Sequence, residues 1–127
     1  MQIFQIRTFA GFTPHPGALA IVVALAGFGF FAGIVFQLGI VAPYDKAVHG
    51  VFFFALAAAM LLAFPGRTLG VLALATGLAG ASELVQAITP HHHASLADFY
   101  ADMMGIWICV ATAFLGRTIR DLRPQAA

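Results

Sequence analysis

Four long apolar runs dominate the chain, and short polar stretches separate them. A helix rises about 1.5 Å per residue, so about 20 apolar residues cross the hydrocarbon core of a bilayer. The runs predict membrane spans at residues 17–41, 47–64, 68–88 and 96–119. Connections this short make consecutive helices antiparallel neighbours. The pattern therefore predicts an all-α fold, an integral membrane four-helix bundle, with residues 1–127 as its single domain.

The first residues of the chain differ from these runs. In residues 1–16 the polar side chains Gln2, Gln5 and Arg7 alternate with apolar ones, which is typical of an interfacial segment lying on the membrane. The apolar run that follows is far longer than the hydrophobic region of a signal peptide. It is therefore predicted to be a retained span.

Composition restricts the class of protein further. Hydrophobic residues make up 61% of the 127 residues, charged residues only 9%, and the mean hydropathy is +0.95. A soluble domain of this size could not bury so much apolar surface. The few basic residues form no patch for nucleic acid, and no motif for a nucleotide or haem cofactor is present. Membrane lipids are the expected partners, and no cofactor is predicted.

The basic residues predict the orientation of the spans. Arg7 precedes the first span, Arg67 lies between the second and third, and Arg117, Arg120 and Arg123 end the fourth run or follow it. The positive-inside rule places these ends, and with them both termini, in the cytoplasm. The two opposite connections therefore face outward.

Most acidic residues and histidines fall at that outward end. Residues four apart share one helix face, as do Asp45 with His49 and Asp98 with Asp102. Ionisable groups in a membrane are costly and should face the bundle interior, and Glu83 is expected to be the most enclosed. The predicted polar cluster comprises Asp45, Lys46, His49, Glu83, Gln86, His92, Ser95, Asp98 and Asp102.

Three ordered motifs in the last three spans resemble the VanZ-like family, whose founding member is associated with teicoplanin resistance. They are Asp-Lys-Ala-Val-His at residues 45–49, Glu-Leu-Val-Gln at 83–86, and the segment from proline to glycine at 90–105. His92 stands where the family usually has arginine, and Asp102 where it usually has asparagine. The resemblance implies a protein of the bacterial cytoplasmic membrane that acts in the cell envelope, on lipid or on surface-polymer or glycopeptide-related processes, without a defined catalytic residue.

Several roles for the polar cluster stay open. It can be a structural network that fixes helix packing, a site for a lipid head group or lipid-linked substrate, a metal site, or a path for protons or solutes. Asp45 with His49 and Asp98 with Asp102 have one-face ligand spacing, and imidazole with carboxylates suits zinc or iron. No metal is predicted, and the candidate ligands for one are His49, Glu83 and Asp98. Ser95 is predicted to cap the fourth helix rather than act as a nucleophile.

Two further functional classes remain as alternatives. One is an accessory transmembrane subunit of a larger complex, because small residues recur at four-residue spacing. The other is a metal-dependent membrane enzyme. The small residues are predicted to pack within the chain, as helices in lipid do. They are Gly29 and Gly33 in span one, Ala73, Gly77 and Ala81 in span three, and Ala101, Gly105, Cys109 and Ala113 in span four.

Overall fold

The computed structural model describes residues 14–34, 44–90 and 93–123, and all regular secondary structure in them is α-helical. The four helices are α1 (Pro16–Ile34), α2 (Tyr44–Ala63), α3 (Thr68–Ile88) and α4 (Leu96–Asp121). The predicted third span matches α3 at both ends. The predicted interfacial segment up to residue 13, and residues 35–41 of the predicted first span, lie outside the described residues.

Three of the helices are long and apolar enough to cross a membrane: α2, α3 and α4. The apolar part of α1, Pro16–Ala32, is shorter. These helices identify the chain as a membrane protein. Tyr44 and Tyr100 are exposed near the first turns of α2 and α4, where aromatic residues mark a membrane–water interface.

Contacts between helix ends show that consecutive helices alternate in direction. The backbone N–H of His15 donates to the carbonyl of Ala63 at 3.0 Å, so α1 begins where α2 ends. The guanidinium of Arg117 donates to the hydroxyl of Thr68 at 3.2 Å, so α4 ends where α3 begins. The first turns of α2 and α4 therefore lie at one end of the molecule, together with the last turns of α1 and α3.

The closest helix pair is α2 with α4, which run in the same direction. A side-chain carbon on Gly105 would clash with the carbonyl of Gly50 and lie 3.1 Å from the backbone nitrogen of Phe54. A side-chain carbon on Gly50 would lie 3.3 Å from the carbonyl of Ala101. Glycine at both positions lets the backbones touch, which is how helices associate closely in lipid. The predicted packing role of the small residues in the fourth span is confirmed for Gly105 and Cys109, which are buried, and for Ala101, whose backbone meets Gly50.

The prediction that Ala73, Gly77 and Ala81 of the third span pack within the chain is wrong, because all three are exposed. Ala73 and Gly77 are exposed, whereas Ala75 and Ala79 are fully buried against the neighbouring helices. Both sets repeat at four-residue spacing, so periodicity alone did not separate them. The buried stripe is the one that continues to Glu83, and it brings that carboxylate to the interior.

Candidate functional site

The polar residues of α2, α3 and α4 meet at one end of the molecule because of the alternating helix directions. Their side chains lie in the first turns of α2 and α4 and the last turns of α3. The arginines Arg67, Arg117, Arg120 and Arg123 lie at or near the opposite end. The structure therefore groups those residues of the predicted cluster that lie in the described part of the chain. It also separates them from most of the basic charge.

His49 and Asp102 form the most enclosed polar pair. The Nδ1 atom of His49 lies 2.9 Å from Oδ1 of Asp102, and the Asp102 side chain is 0% exposed. Asp102 precedes Gly105 by three residues, so the close contact of α4 with α2 covers it. Asp102, not Glu83 as expected, is therefore the most enclosed ionisable residue among these.

Lys46 joins the first turns of α2 and α4. Its ammonium group donates hydrogen bonds to Asp98 across the helix pair and to Asp45 at 3.2 Å. The backbone N–H of Lys46 also donates to Asp45 at 2.8 Å. Asp45 is thus held by Lys46, and the pairing of Asp45 with His49 suggested by their spacing is replaced by the pair of His49 with Asp102.

Glu83 connects α3 to the start of α4. Its Oε2 atom accepts a hydrogen bond of 2.7 Å from the backbone N–H of Ser95. The Ser95 hydroxyl accepts from the backbone N–H of Asp98 at 3.4 Å, which confirms Ser95 as the N-cap of α4. In a capping box the third residue of the helix accepts from the cap residue, and here Glu83 of another helix does so.

His49, Glu83 and Asp102 together form a candidate cation site. One ligand atom from each residue can be chosen so that all three atoms lie within 4.8 Å of one another. Glu83 Oε1 and Asp102 Oδ2 are buried and have no hydrogen-bond partner among the described residues. Buried polar atoms nearly always have a hydrogen-bond partner, so a partner such as a cation is expected for these two oxygens.

A partly open cavity of about 520 Å³ lies beside this group, between α1, α2 and α3. Apolar side chains form most of its wall, and Phe52 crosses toward Gly29, where a larger residue would collide with its ring. His49 and Gln86 supply polar atoms to the wall. The wall also includes Ser82, Val85 and Thr89 on α3 and Phe28 and Phe30 on α1.

The structure thus divides the predicted cluster into parts. His49, Glu83 and Asp102 converge, and Gln86 lines the cavity. Asp98 was offered as a metal ligand with His49 and Glu83, but its carboxylate pairs with Lys46, and Asp102 one turn further along α4 takes its place. His92 lies outside the described residues.

The cavity itself was not predicted from the sequence. The ring of Phe52 on α2 fits against Gly29 on α1. A sequence shows this fit only if it is known which residues of the two helices face each other.

Comparisons of the chain with models of known protein families, with curated proteins and with solved structures find no match.

Proposed function

We propose that this chain is a VanZ-like multi-pass protein of the bacterial cytoplasmic membrane that binds an envelope lipid or lipid-linked surface polymer without catalysing a reaction on it. The observation that carries the proposal is the 520 Å³ cavity next to the polar cluster. Ligand sites typically measure about 300–1,000 Å³ and combine apolar walls with a few polar groups. An amphiphile with an apolar chain and a polar head matches such a site.

The distribution of charge supports an outward-facing site. In this proposal the arginines near the opposite end are cytoplasmic, as are both termini, by the positive-inside rule. The polar cluster and the cavity then belong to the outer half of the membrane. Lipid-linked precursors of surface polymers and the outer-leaflet lipids are available there.

The polar end of the site favours a hydroxyl-rich head group. Among the described residues, four carboxylates lie there beside one ammonium group, that of Lys46, which already pairs with two of them. A hydroxyl-rich head group adds no negative charge to this end and can donate hydrogen bonds to the carboxylates. His49 and Gln86 lie further in, along the cavity wall, where they can donate to or accept from a head group.

Filling the cavity tests the proposal. The protein is purified in a mild detergent and its retained lipids are measured by native mass spectrometry. Ala81→Trp places an indole in the cavity wall and should reduce retained lipid at least fivefold. Ala73→Trp is the matched control, because Ala73 is also an exposed alanine of α3 but does not line the cavity.

Two outcomes would contradict the proposal. One is a wild-type protein that is folded but carries no lipid beyond the level seen with an unrelated membrane protein of similar size. The other is equal lipid retention in the two tryptophan variants.

In cells, alanine at Glu83 and Asp98 should alter envelope composition or glycopeptide susceptibility while the protein accumulates normally.

An accessory-subunit role is the second candidate, and one surface of α3 favours it. Gly70, Gly77 and Gly80 have open space around them within the described part of the chain. Small residues facing lipid are the usual contact surface between transmembrane helices. If the protein migrates alone after extraction in several mild detergents, this candidate is excluded.

A further inference from the structure

We propose that His49, Glu83 and Asp102 bind a divalent transition-metal ion, for which Zn²⁺ is the best match. The three residues come from α2, α3 and α4, and their ligand atoms lie within 4.8 Å of one another. The site goes beyond the binding of lipid, because the cavity can hold an amphiphile whether or not a metal is bound.

The donor set suits this class of ion. One imidazole nitrogen and two carboxylate oxygens are ligands that zinc accepts, with bonds of about 2.0–2.2 Å. Tetrahedral geometry at that bond length separates ligand atoms by about 3.3 Å. Binding an ion would therefore draw together ligand atoms that now lie within 4.8 Å of one another.

The unpartnered oxygens are the strongest argument for an ion. Glu83 is 9% exposed and Asp102 is 0% exposed, yet within residues 14–34, 44–90 and 93–123 neither Glu83 Oε1 nor Asp102 Oδ2 has a hydrogen-bond partner. A buried polar atom without a partner is costly. The nearby ammonium group of Lys46 is bonded to Asp45 and Asp98. One divalent cation would satisfy both oxygens and balance two carboxylate charges.

Supporting contacts hold the ligands in place. The backbone N–H of Ser95 donates to Glu83 Oε2 and leaves Oε1 for another partner. Metal-binding carboxylates are typically fixed by such an outer hydrogen bond. Three protein ligands leave one position of a zinc ion for water or for a ligand atom. Because His49 also lines the cavity, that position would lie beside the proposed lipid site.

The test uses the full chain in mild detergent. The protein is stripped with a chelator, reloaded with Zn²⁺ alone, dialysed, and analysed for metal content and for affinity by competition with a chromophoric chelator. We expect about one zinc ion per chain. Glu83→Gln and Asp102→Asn keep the shape and a hydrogen-bonding oxygen, and each should weaken binding by at least about 100-fold, the upper end of the loss caused by removing a supporting contact.

Asp45→Asn is the matched control. It removes a carboxylate at the same end of the molecule but outside the three ligands, so zinc affinity should stay within about threefold of wild type. The proposal is overturned if the folded wild-type protein binds no zinc, or if Glu83→Gln and Asp102→Asn bind it like wild type. Lipid retention is measured on metal-free protein in parallel, so a failure here leaves the proposed function separately decided.

Discussion

Glu83 has two carboxylate oxygens in different surroundings. Oε2 accepts a hydrogen bond from the backbone N–H of Ser95, and Oε1 has no partner in the part of the chain that the structure describes. The first contact ties α3 to the N-terminus of α4, where the first backbone N–H groups of a helix need acceptors. Glu83 therefore contributes to helix packing as well as to the site. Removing its side chain should lower the stability of the protein.

Glu83→Ala should lower the free energy of unfolding by about 1–3 kcal/mol, because the half-buried Ser95 N–H loses its hydrogen bond to a carboxylate. Cys109 is the single cysteine of the chain and is buried, so a thiol-reactive fluorescent dye reports unfolding in detergent. Gln86→Ala, on the same helix one turn later, should change the unfolding temperature much less. Equal effects of the two variants would show that the contact with Ser95 is not important for the fold.

The residue types of the site were predictable from the sequence, but their partners were not. Spacing on one helix placed Asp45 with His49 and Asp98 with Asp102 on shared faces. The contacts that form instead are between helices, His49 with Asp102 and Lys46 with Asp98. They depend on the register of α2 against α4, which no single-helix periodicity contains.

At the scale of helices, the contact between α2 and α4 sets that register. Gly50 and Gly105 let the two backbones meet, and the polar pairs lie within about two turns of this point. The parallel direction of α2 and α4 puts both of their first turns at the same membrane depth. The small-residue pattern of α4 predicted this close contact, whereas the identical pattern on α3 belongs to an exposed face.

Two glycine-to-alanine variants test the role of this contact. Gly105→Ala forces α4 away from α2 and should cost about 1–3 kcal/mol through overpacking. Gly77→Ala places a methyl group in open space on α3 and should leave stability unchanged or raise it by up to about 1 kcal/mol through helix propensity. Unfolding is followed through the Cys109 thiol in both cases.

The same variants also test the site. Because the contact at Gly105 holds Asp102 against His49, zinc affinity should fall in Gly105→Ala but not in Gly77→Ala. If Gly105→Ala is as stable as Gly77→Ala, there is space for a methyl group between the backbones of α2 and α4. That result would contradict the close contact of the two helices at Gly105.

At the scale of the whole molecule, helix content and most helix boundaries follow from hydropathy alone. Residues 68–88 were predicted as a span and form α3. The membrane supplies the reason, because a chain in lipid must satisfy its backbone hydrogen bonds within each helix. The cavity between α1, α2 and α3 could not be predicted in this way, because its volume depends on how the side chains of three helices pack against one another.

The proposed topology has a direct consequence for reporter fusions. A fluorescent protein that folds only in the cytoplasm should be bright at either terminus, and alkaline phosphatase at either terminus should be inactive. Phosphatase inserted in the connection between α3 and α4 should be active. The helix α1 decides the result, because the N-terminus is cytoplasmic only if the first apolar run crosses the membrane. A phosphatase that is active at the N-terminus but inactive at the C-terminus would exclude four spans.

The cavity beside His49 should hold a lipid while the protein is in the membrane itself. Cells grown with a diazirine-bearing fatty acid can be irradiated intact, and the purified protein digested and its lipid adducts mapped by mass spectrometry. We predict adducts on cavity residues such as Phe52 and Val85, and their loss in Ala81→Trp but not in Ala73→Trp. Adducts confined to exposed residues outside the cavity, such as Leu69 and Leu115, with none in the cavity, would contradict the proposed lipid site.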